Sequence, residues 1–202
     1  MNQRLFHEID KHLLEDERPS IYLQKLYDTD AFDHLPYSII NAMGQTEQNP
    51  KYHPEGDVFQ HTLLVVDQAA MRRKESIHPR ALLWATLLHD IGKPETTKLR
   101  NGRLTAYEHD IVGERMAQEF LELFTDERDF IDQVANLVRF HMQPFLAVKN
   151  RKFARLDELG KIGDWREVAL LGLCDRLGRG GVDEGEERAG IEQFITQMES
   201  RS

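Results

Sequence analysis

The feature that most restricts the fold of this chain is the repetition of apolar residues at intervals of three and four positions. The segments 63–70, 116–124 and 131–138 show this spacing clearly. Residues spaced in this way lie along one face of an α-helix, so each segment predicts an amphipathic helix with one buried side. Because the pattern recurs through most of the chain, the sequence predicts an all-α fold.

Apolar periodicity, together with the positions of Gly, Pro and capping residues, predicts where the helices lie. They are expected near residues 3–15, 20–28, 33–43, 57–75, 79–90, 108–124, 127–141, 153–159, 164–179 and 184–199. One segment differs, because Asn101 and Gly102 stand between short apolar or β-branched stretches, as a tight hairpin turn requires. We expect a short β-hairpin near residues 98–107, although an exposed loop also fits these residues.

The chain of 202 residues is long enough for one domain around a single core. Gly44–Pro54 is polar and contains two prolines, which is typical of a loop. We interpret residues 1–50 as an amino-terminal helical segment packed on a motif-bearing core of residues 51–180. The prediction is a single domain over residues 1–202.

Charge and cysteine content restrict the location and partners of the protein. Lys and Arg number 26 against 35 Asp and Glu, and the net charge of −9 disfavours a stable complex with nucleic acid. The single cysteine, Cys174, suits a reducing compartment, and the acidic amino terminus does not resemble a signal peptide. No apolar run approaches the roughly 20 residues of a membrane span. We expect a cytoplasmic protein without a membrane partner; the sequence gives no oligomeric state.

Some of the nine histidines lie in apolar surroundings. Four stand within or at the edges of predicted apolar helices: His61, His89, His109 and His141. A buried imidazole has two ring nitrogens that need partners, and several of them in one core are costly unless they share a partner such as a metal ion. These four histidines are therefore candidate metal ligands.

The end of one apolar helix indicates metal chemistry most directly. Ala81–Leu88 is followed by His89 and Asp90, and then by Gly92 and Pro94, which we interpret as a helix stop. Adjacent helical residues point about 100° apart, close to the angle between neighbouring ligands of an octahedral ion. One imidazole and one carboxylate can therefore both reach a single divalent ion beyond the helix end.

These motifs resemble the HD-domain metal-dependent phosphohydrolases, whose ligands follow the order His, His-Asp, Asp on separate helices. The matching residues are His61, His89, Asp90 and Asp175. The segment His53–Leu63, and Tyr107–Asp110 followed by Gly113, are similar to the HD domain at the carboxyl end of bacterial CCA-adding tRNA nucleotidyltransferases. The resemblance covers roughly residues 50–180.

The catalytic transferase domain of those enzymes is not matched. It carries a Gly-Ser or Gly-Gly turn followed by paired carboxylates, and this sequence has no such turn. Asp28 and Asp30 are paired carboxylates without the glycine turn, and we interpret them as a loop at a helix end. Nucleotide addition is therefore not implied, and the expected activity is that of the phosphohydrolase half alone.

The resemblance implies one or two divalent ions, among Mn, Fe, Co, Ni and Mg, with His61, His89, Asp90 and Asp175 as the ligands of the first. An ion with open coordination positions lowers the pKa of bound water and withdraws charge from phosphorus. Antiparallel packing of the helices near 108–124 and 127–141 is expected to bring His109 and His141 to the same side. Two functional roles stay open for this pair, beside a purely structural one. They are ligands of a second ion bridged by Asp90, or they contact substrate, with His109 as proton donor.

Basic residues near the expected metal ligands are candidate phosphate contacts. Lys93 lies three positions after Asp90, so we expect its ammonium to touch a phosphate oxygen, against a role in capping the helix carbonyls. We count Asp90, Lys93 and His109 as the catalytic residues. Arg176 and Arg179 are further candidate substrate contacts, against a role in capping their helix.

Three further features have both functional and ordinary interpretations. His53 faces either the substrate or solvent, and Asp57 is a candidate acceptor that orients the His61 ring, or merely a helix-start carboxylate. The basic stretch 149–155 contains Phe153 as its only aromatic residue, and we interpret it as a solvated face.

The sequence thus predicts a phosphohydrolase that cleaves phosphomonoester or cyclic phosphodiester bonds of a small, nucleotide-like substrate by a metal-activated water. Two alternatives stay open: an HD-type di-iron oxygenase, and a non-catalytic module that binds nucleotide or tRNA. The natural substrate is not indicated by the sequence.

Overall fold

The structure, a computed structural model, describes residues 2–149, 152 and 154–201. It confirms the all-α prediction. The helices are α1 (Asn2–Glu15), α2 (Pro19–Asp28), α3 (Ser38–Gly44), α4 (Val58–Arg72), α5 (Pro79–Leu88), α6 (Lys93–Thr96), α7 (His109–Leu121), α8 (Arg128–Phe140), α9 (Gln143–Val148), α10 (Leu156–Ile162), α11 (Trp165–Leu177) and α12 (Glu184–Glu199). None of the helices in the described part of the chain has both the length and the apolar character needed to cross a membrane.

The expected hairpin is present between α6 and α7. Strands β1 (Thr97–Arg100) and β2 (Arg103–Ala106) pair antiparallel, with Thr97 opposite Ala106 and Arg100 opposite Arg103. Asn101 and Gly102 join them with positive φ angles of 50° and 72°. Asn and Gly are the residues that tolerate such a turn best, which explains why the dipeptide predicted it.

Helix α5 lies at the centre of the bundle. Every residue from Ala81 to Leu88 is buried, and the helix packs against α1, α4, α8 and α11. A helix that is apolar on all sides must be covered on all sides, so its sequence explains this central position. Its carboxyl end therefore opens into the interior of the protein.

The amino-terminal helices share the same core. Phe6 of α1 stacks on Trp84 of α5 with ring centroids 4.6 Å apart. Trp84 also donates its Nε1 hydrogen to Asp10 Oδ1 at 2.7 Å, which anchors α1 on α5. Helices α2 and α3 pack on α4. Helices α1, α2 and α3 thus cover α4 and α5, the helices that position His61 and His89.

Proline explains most differences between the expected and observed helices. Helix α3 begins at Ser38 instead of residue 33, because Pro36 lacks an amide hydrogen and disfavours helical backbone before it. The interpretation of Pro94 as a barrier to further helix was wrong. Pro94 and Pro144 lie in the first turns of the unpredicted helices α6 and α9, where a missing amide hydrogen has no cost.

Two further helices differ from their expected limits. Helix α4 ends at Arg72 and continues as a short 3-10 helix over Arg73–Glu75. Helix α10 runs from Leu156, later than the expected start at residue 153, which lies outside the described residues.

Candidate metal centre and active site

The turn after α5 brings the first two candidate ligands into the interior. His89 and Asp90 are buried, with exposures of 0% and 2%. Gly92 follows with an ordinary φ of −81°, so it does not serve as a left-handed helix cap. Instead, a Cβ atom at Gly92 would lie 2.3 Å from His109 O and 2.7 Å from Gly113 N. The glycine is needed because α7 approaches this turn closely, which places His109 beside Asp90.

Three of the buried imidazoles are oriented in the same way. Each contacts, through Nδ1, the backbone carbonyl three residues earlier in the chain. The distances are 2.8 Å from His89 to Thr86, 2.7 Å from His109 to Ala106 and 2.7 Å from His141 to Val138. A carbonyl only accepts, so Nδ1 carries the proton and a neutral ring keeps its lone pair on Nε2. This orientation is typical of histidines that bind metal.

The three Nε2 atoms surround the carboxylate of Asp90. His89 Nε2 lies 3.2 Å from Oδ2, while His109 Nε2 and His141 Nε2 lie 3.4 Å and 3.8 Å from Oδ1. His109 Nε2 and His141 Nε2 are 3.2 Å apart, and His89 Nε2 is buried without a hydrogen bond to any described residue. Lone pairs that face one another and a carboxylate repel unless a cation lies between them. The donor set therefore fits a divalent metal ion.

His61 and Asp175 extend this cluster from α4 and α11. His61 is fully buried, its ring centroid is 5.5 Å from that of His89, and its Nε2 lies 3.0 Å from Asp175 Oδ1. His61, His89 and Asp90 also offer ligand atoms within 4.8 Å of one another. The structure thus brings together all four residues that the sequence motif suggested as ligands of one ion.

The charges of the cluster are also suited to a cation. Burial alone would raise the pKa of Asp90, but the charged groups around it, the Lys93 ammonium among them, hold that pKa well below its usual range. Burial likewise opposes ionisation of Asp175, and Arg179 holds the pKa of this carboxyl well below its usual range. Both carboxylates are therefore ionised at neutral pH, and they offer two negative charges to a bound ion.

Lys93 lies between the cluster and an open cleft of about 580 Å³. Its Nζ is 2.7 Å from Asp90 Oδ2 and donates a hydrogen bond of 2.7 Å to Gln48 Oε1. The cleft is also lined by His109 and His141. Lys93 thus lies, as expected from the sequence, beside the carboxylate of a candidate metal ligand. Gln48 was missed because nothing in the polar loop distinguishes it.

The other predicted substrate contacts line the same cleft but already have partners. Arg179 Nη2 donates to both oxygens of Asp175 at 3.1 Å, and Arg176 donates to Glu187 on α12 through Nε at 2.8 Å and Nη2 at 2.6 Å. Arg179 therefore orients a candidate ligand. A contact of Arg176 or Arg179 with phosphate stays a prediction.

Lys149 was interpreted as part of a solvated basic face, and the structure gives it a second property. It is exposed, as expected, but it also lines the cleft, and it has no acidic partner among the described residues. Arg151 and Phe153 of the same stretch lie outside the described residues. Lys149 is therefore a cleft cation available to an anionic substrate.

Of the two interpretations of Asp57, the structure supports the carboxylate at a helix start. Its side chain accepts a hydrogen bond from Gln60 N at 2.9 Å and caps α4, so it does not orient His61. Glu55 does contact that ring, with Oε1 2.8 Å from His61 Nδ1 and 2.9 Å from His53 Nδ1. His53 lines the cleft. Glu55 was missed because it lies in an irregular loop, where periodicity carries no information.

Comparison with known proteins agrees with this geometry. The family model for the HD domain matches residues 58–179, a span that contains His61, His89, Asp90 and Asp175. The multifunctional CCA protein of Pseudomonas syringae pv. syringae (strain B728a) is 29% identical over 188 residues, which are 90% of this chain and 44% of that protein.

A second relative matches at higher identity. The multifunctional CCA protein of Actinobacillus pleuropneumoniae serotype 5b (strain L20) is 35% identical over 178 residues, or 87% of this chain and 41% of that protein. The chain spans less than half the length of these curated relatives. The family match covers more than half of the chain and includes the buried cluster. The chain therefore belongs to the HD-domain family.

Proposed function

We propose that this protein is a metal-dependent phosphohydrolase that cleaves phosphomonoester or cyclic phosphodiester bonds of nucleotide-like substrates. One observation carries the proposal: the Nε2 atoms of His89, His109 and His141 converge on Asp90 at the base of a cleft, and Lys93 reaches the same carboxylate. The cluster suits a metal ion and the cleft contains cations for a phosphate. Membership of the HD-domain family supports the same chemistry.

His61, His89, Asp90 and Asp175 would hold the first ion. Bound there, a divalent ion supplies Lewis acidity toward a phosphate oxygen and lowers the pKa of water. Imidazole and carboxylate ligands together suit Mn, Fe, Co and Ni. Mg also stays a candidate, because it prefers carboxylate oxygens. The residues do not distinguish among these metals.

His109 and His141 are better suited to a second ion than to direct proton transfer. The Nδ1 atom of His109 is committed to the Ala106 carbonyl, and its Nε2 lies 3.4 Å from Asp90 Oδ1 and 3.2 Å from His141 Nε2. Both rings thus aim their remaining lone pair at the cluster. We favour the ligand role for this pair, with Asp90 between the two positions.

A nucleotide-like substrate is supported by the dimensions and lining of the cleft. Its volume of about 580 Å³ is within the range of roughly 300–1,000 Å³ common for small-molecule sites. Tyr52 and Phe145 offer aromatic surface for a base, and Lys149 offers charge for a phosphate. The CCA proteins among its relatives favour a nucleotide substrate as well. The cytoplasmic location expected from the single cysteine stays a prediction.

The test is a hydrolysis panel of 2′-, 3′- and 5′-nucleotides, 2′,3′-cyclic nucleotides and p-nitrophenyl esters, each measured with several divalent metals. We expect metal-dependent release of phosphate or ring opening, abolished by the double substitution His89→Ala, Asp90→Ala. Substrate-dependent oxygen uptake by anaerobically iron-loaded protein, without hydrolysis, would instead favour the di-iron oxygenase. Tight RNA binding by metal-loaded protein without any turnover would favour the binding module.

A further inference from the structure

The loop that enters α4 contains a carboxylate shared by two histidines. Oε1 of Glu55 lies 2.9 Å from His53 Nδ1 and 2.8 Å from His61 Nδ1, and the rings of these histidines are 4.9 Å apart between centroids. The Glu55 side chain is only 6% exposed although it comes from a loop. A buried acid that touches two imidazoles is costly unless the contacts are specific.

The two ring nitrogens of His61 each face a carboxylate. A carboxylate only accepts hydrogen bonds, and an unprotonated ring nitrogen close to its oxygen is repelled. Nδ1 lies 2.8 Å from Glu55 Oε1 and Nε2 lies 3.0 Å from Asp175 Oδ1, so the single proton of a neutral ring satisfies only one of them. A cation between Nε2 and Asp175 would remove the second repulsion, and the proton would then be on Nδ1, facing Glu55.

Glu55 has a distinct position among the groups that orient the cluster. His89, His109 and His141 each use a backbone carbonyl for this purpose. For His61, whose Nδ1 makes no hydrogen bond of good geometry to a described residue, the contacting group is the Glu55 side chain. A side chain can be replaced by mutation without altering the backbone, so this one tautomer is open to test.

We propose that Glu55 is a positioning residue that fixes the Nδ1–H tautomer of His61 and thereby directs its Nε2 lone pair at the metal centre. His53 assists, because its own Nδ1–H donates to the same oxygen and holds the carboxylate in place. This inference rests on the ligand role proposed for His61 and not on any particular reaction. A carboxylate behind a metal-binding histidine also raises the basicity of the ring, which strengthens the metal bond.

The first test uses the wild-type protein loaded with Mg²⁺, a diamagnetic ion among the candidate metals. Long-range ¹H–¹⁵N correlation spectra of its imidazoles report which nitrogen of each neutral ring carries the proton. We expect His61 with the proton on Nδ1. A His61 ring protonated on Nε2 would overturn the proposal, and this outcome needs no variant that folds.

The second test compares Glu55→Gln with the control Asp57→Asn. Both remove one acid from the same loop, but Asp57 caps α4, a role that Asn also performs. The Gln amide can donate to Nδ1, so Glu55→Gln should favour the Nε2–H tautomer of His61, in which Nε2 has no lone pair for an ion. Calorimetric titration with Mn²⁺ should give affinity lower by roughly 10–100-fold, while Asp57→Asn binds as the wild type does.

The outcomes separate this proposal from the proposed function. An unchanged His61 tautomer and unchanged Mn²⁺ affinity in Glu55→Gln would overturn the positioning role. Loss of a whole equivalent of Mn²⁺ with the tautomer unchanged would also overturn it, because Glu55 would then be a ligand itself. If the tautomer and affinity respond as expected but no phosphoester is hydrolysed, the positioning role stands and the proposed function fails.

Discussion

Two lysines in the cleft differ in what surrounds their ammonium groups. Lys93 is partly buried against Asp90 and Gln48, each 2.7 Å from Nζ, so its position is fixed close to the candidate metal ligands. Lys149 is exposed and lacks an acidic partner among the residues that the structure describes. A fixed charge beside the cluster acts mainly in the transition state, whereas a mobile charge at the rim acts mainly on binding.

Substitution of the two lysines should therefore alter different kinetic constants. We expect Lys93→Ala to leave the metal content unchanged and to lower kcat about 100-fold, the size typical for loss of one transition-state donor. Lys149→Ala should raise KM by roughly 5–10-fold with kcat nearly unchanged. Steady-state kinetics with metal analysis measures both, and Lys161→Ala, on α10 and outside the cleft, is the control. A lower kcat in Lys149→Ala, or lost metal in Lys93→Ala, would contradict this division.

At the scale of elements, the close approach between α7 and the turn after α5 sets the geometry of the site. Gly92→Ala would place a methyl group 2.3 Å from His109 O. Overpacking of this kind costs typically 1–3 kcal/mol, so the free energy of unfolding should fall by about that amount. Metal affinity should fall as well, because His109 would be displaced.

Gly190→Ala is the matched control for this prediction. Gly190 is helical, in α12, and a Cβ atom there meets nothing within 4 Å. Because Ala favours helix over Gly, this variant should be stabilised by up to about 1 kcal/mol. Urea unfolding of both variants measures the difference, and equal stability of Gly92→Ala and wild type would contradict the close packing described above.

Some features of the fold and of the candidate site could be predicted from the sequence, and others could not. Residues such as His89 and Asp90 could be assigned to one helix end because the continuous apolar run Ala81–Leu88 indicates α5. The Asn101–Gly102 dipeptide predicted the hairpin, since its turn has strict backbone requirements. Glu55 and Lys149 could not be assigned, because a loop residue acquires its neighbours only when distant helices pack around it. For the same reason, the sequence could not decide between the two interpretations of Asp57.

At the scale of the whole molecule, packing of the helices around α5 explains why the candidate ligands meet. They come from the start of α4, the end of α5, the start of α7, the end of α8 and the end of α11. These ends converge because α4, α8 and α11 pack along α5, and α7 packs on α8. The site is therefore a property of the whole bundle, and an ion bound there would tie distant parts of the chain together.

The measurement that tests this account most directly is the metal content of the protein after dialysis against Mn²⁺. We predict at least one tightly held equivalent in the wild type and almost none in the double variant His89→Ala, Asp90→Ala, with helical circular dichroism retained. The control is Asp33→Ala, His34→Ala, which removes the same two residue types from an exposed pair and should bind as the wild type does. Equal metal content in the wild type and the His89→Ala, Asp90→Ala variant would contradict the account.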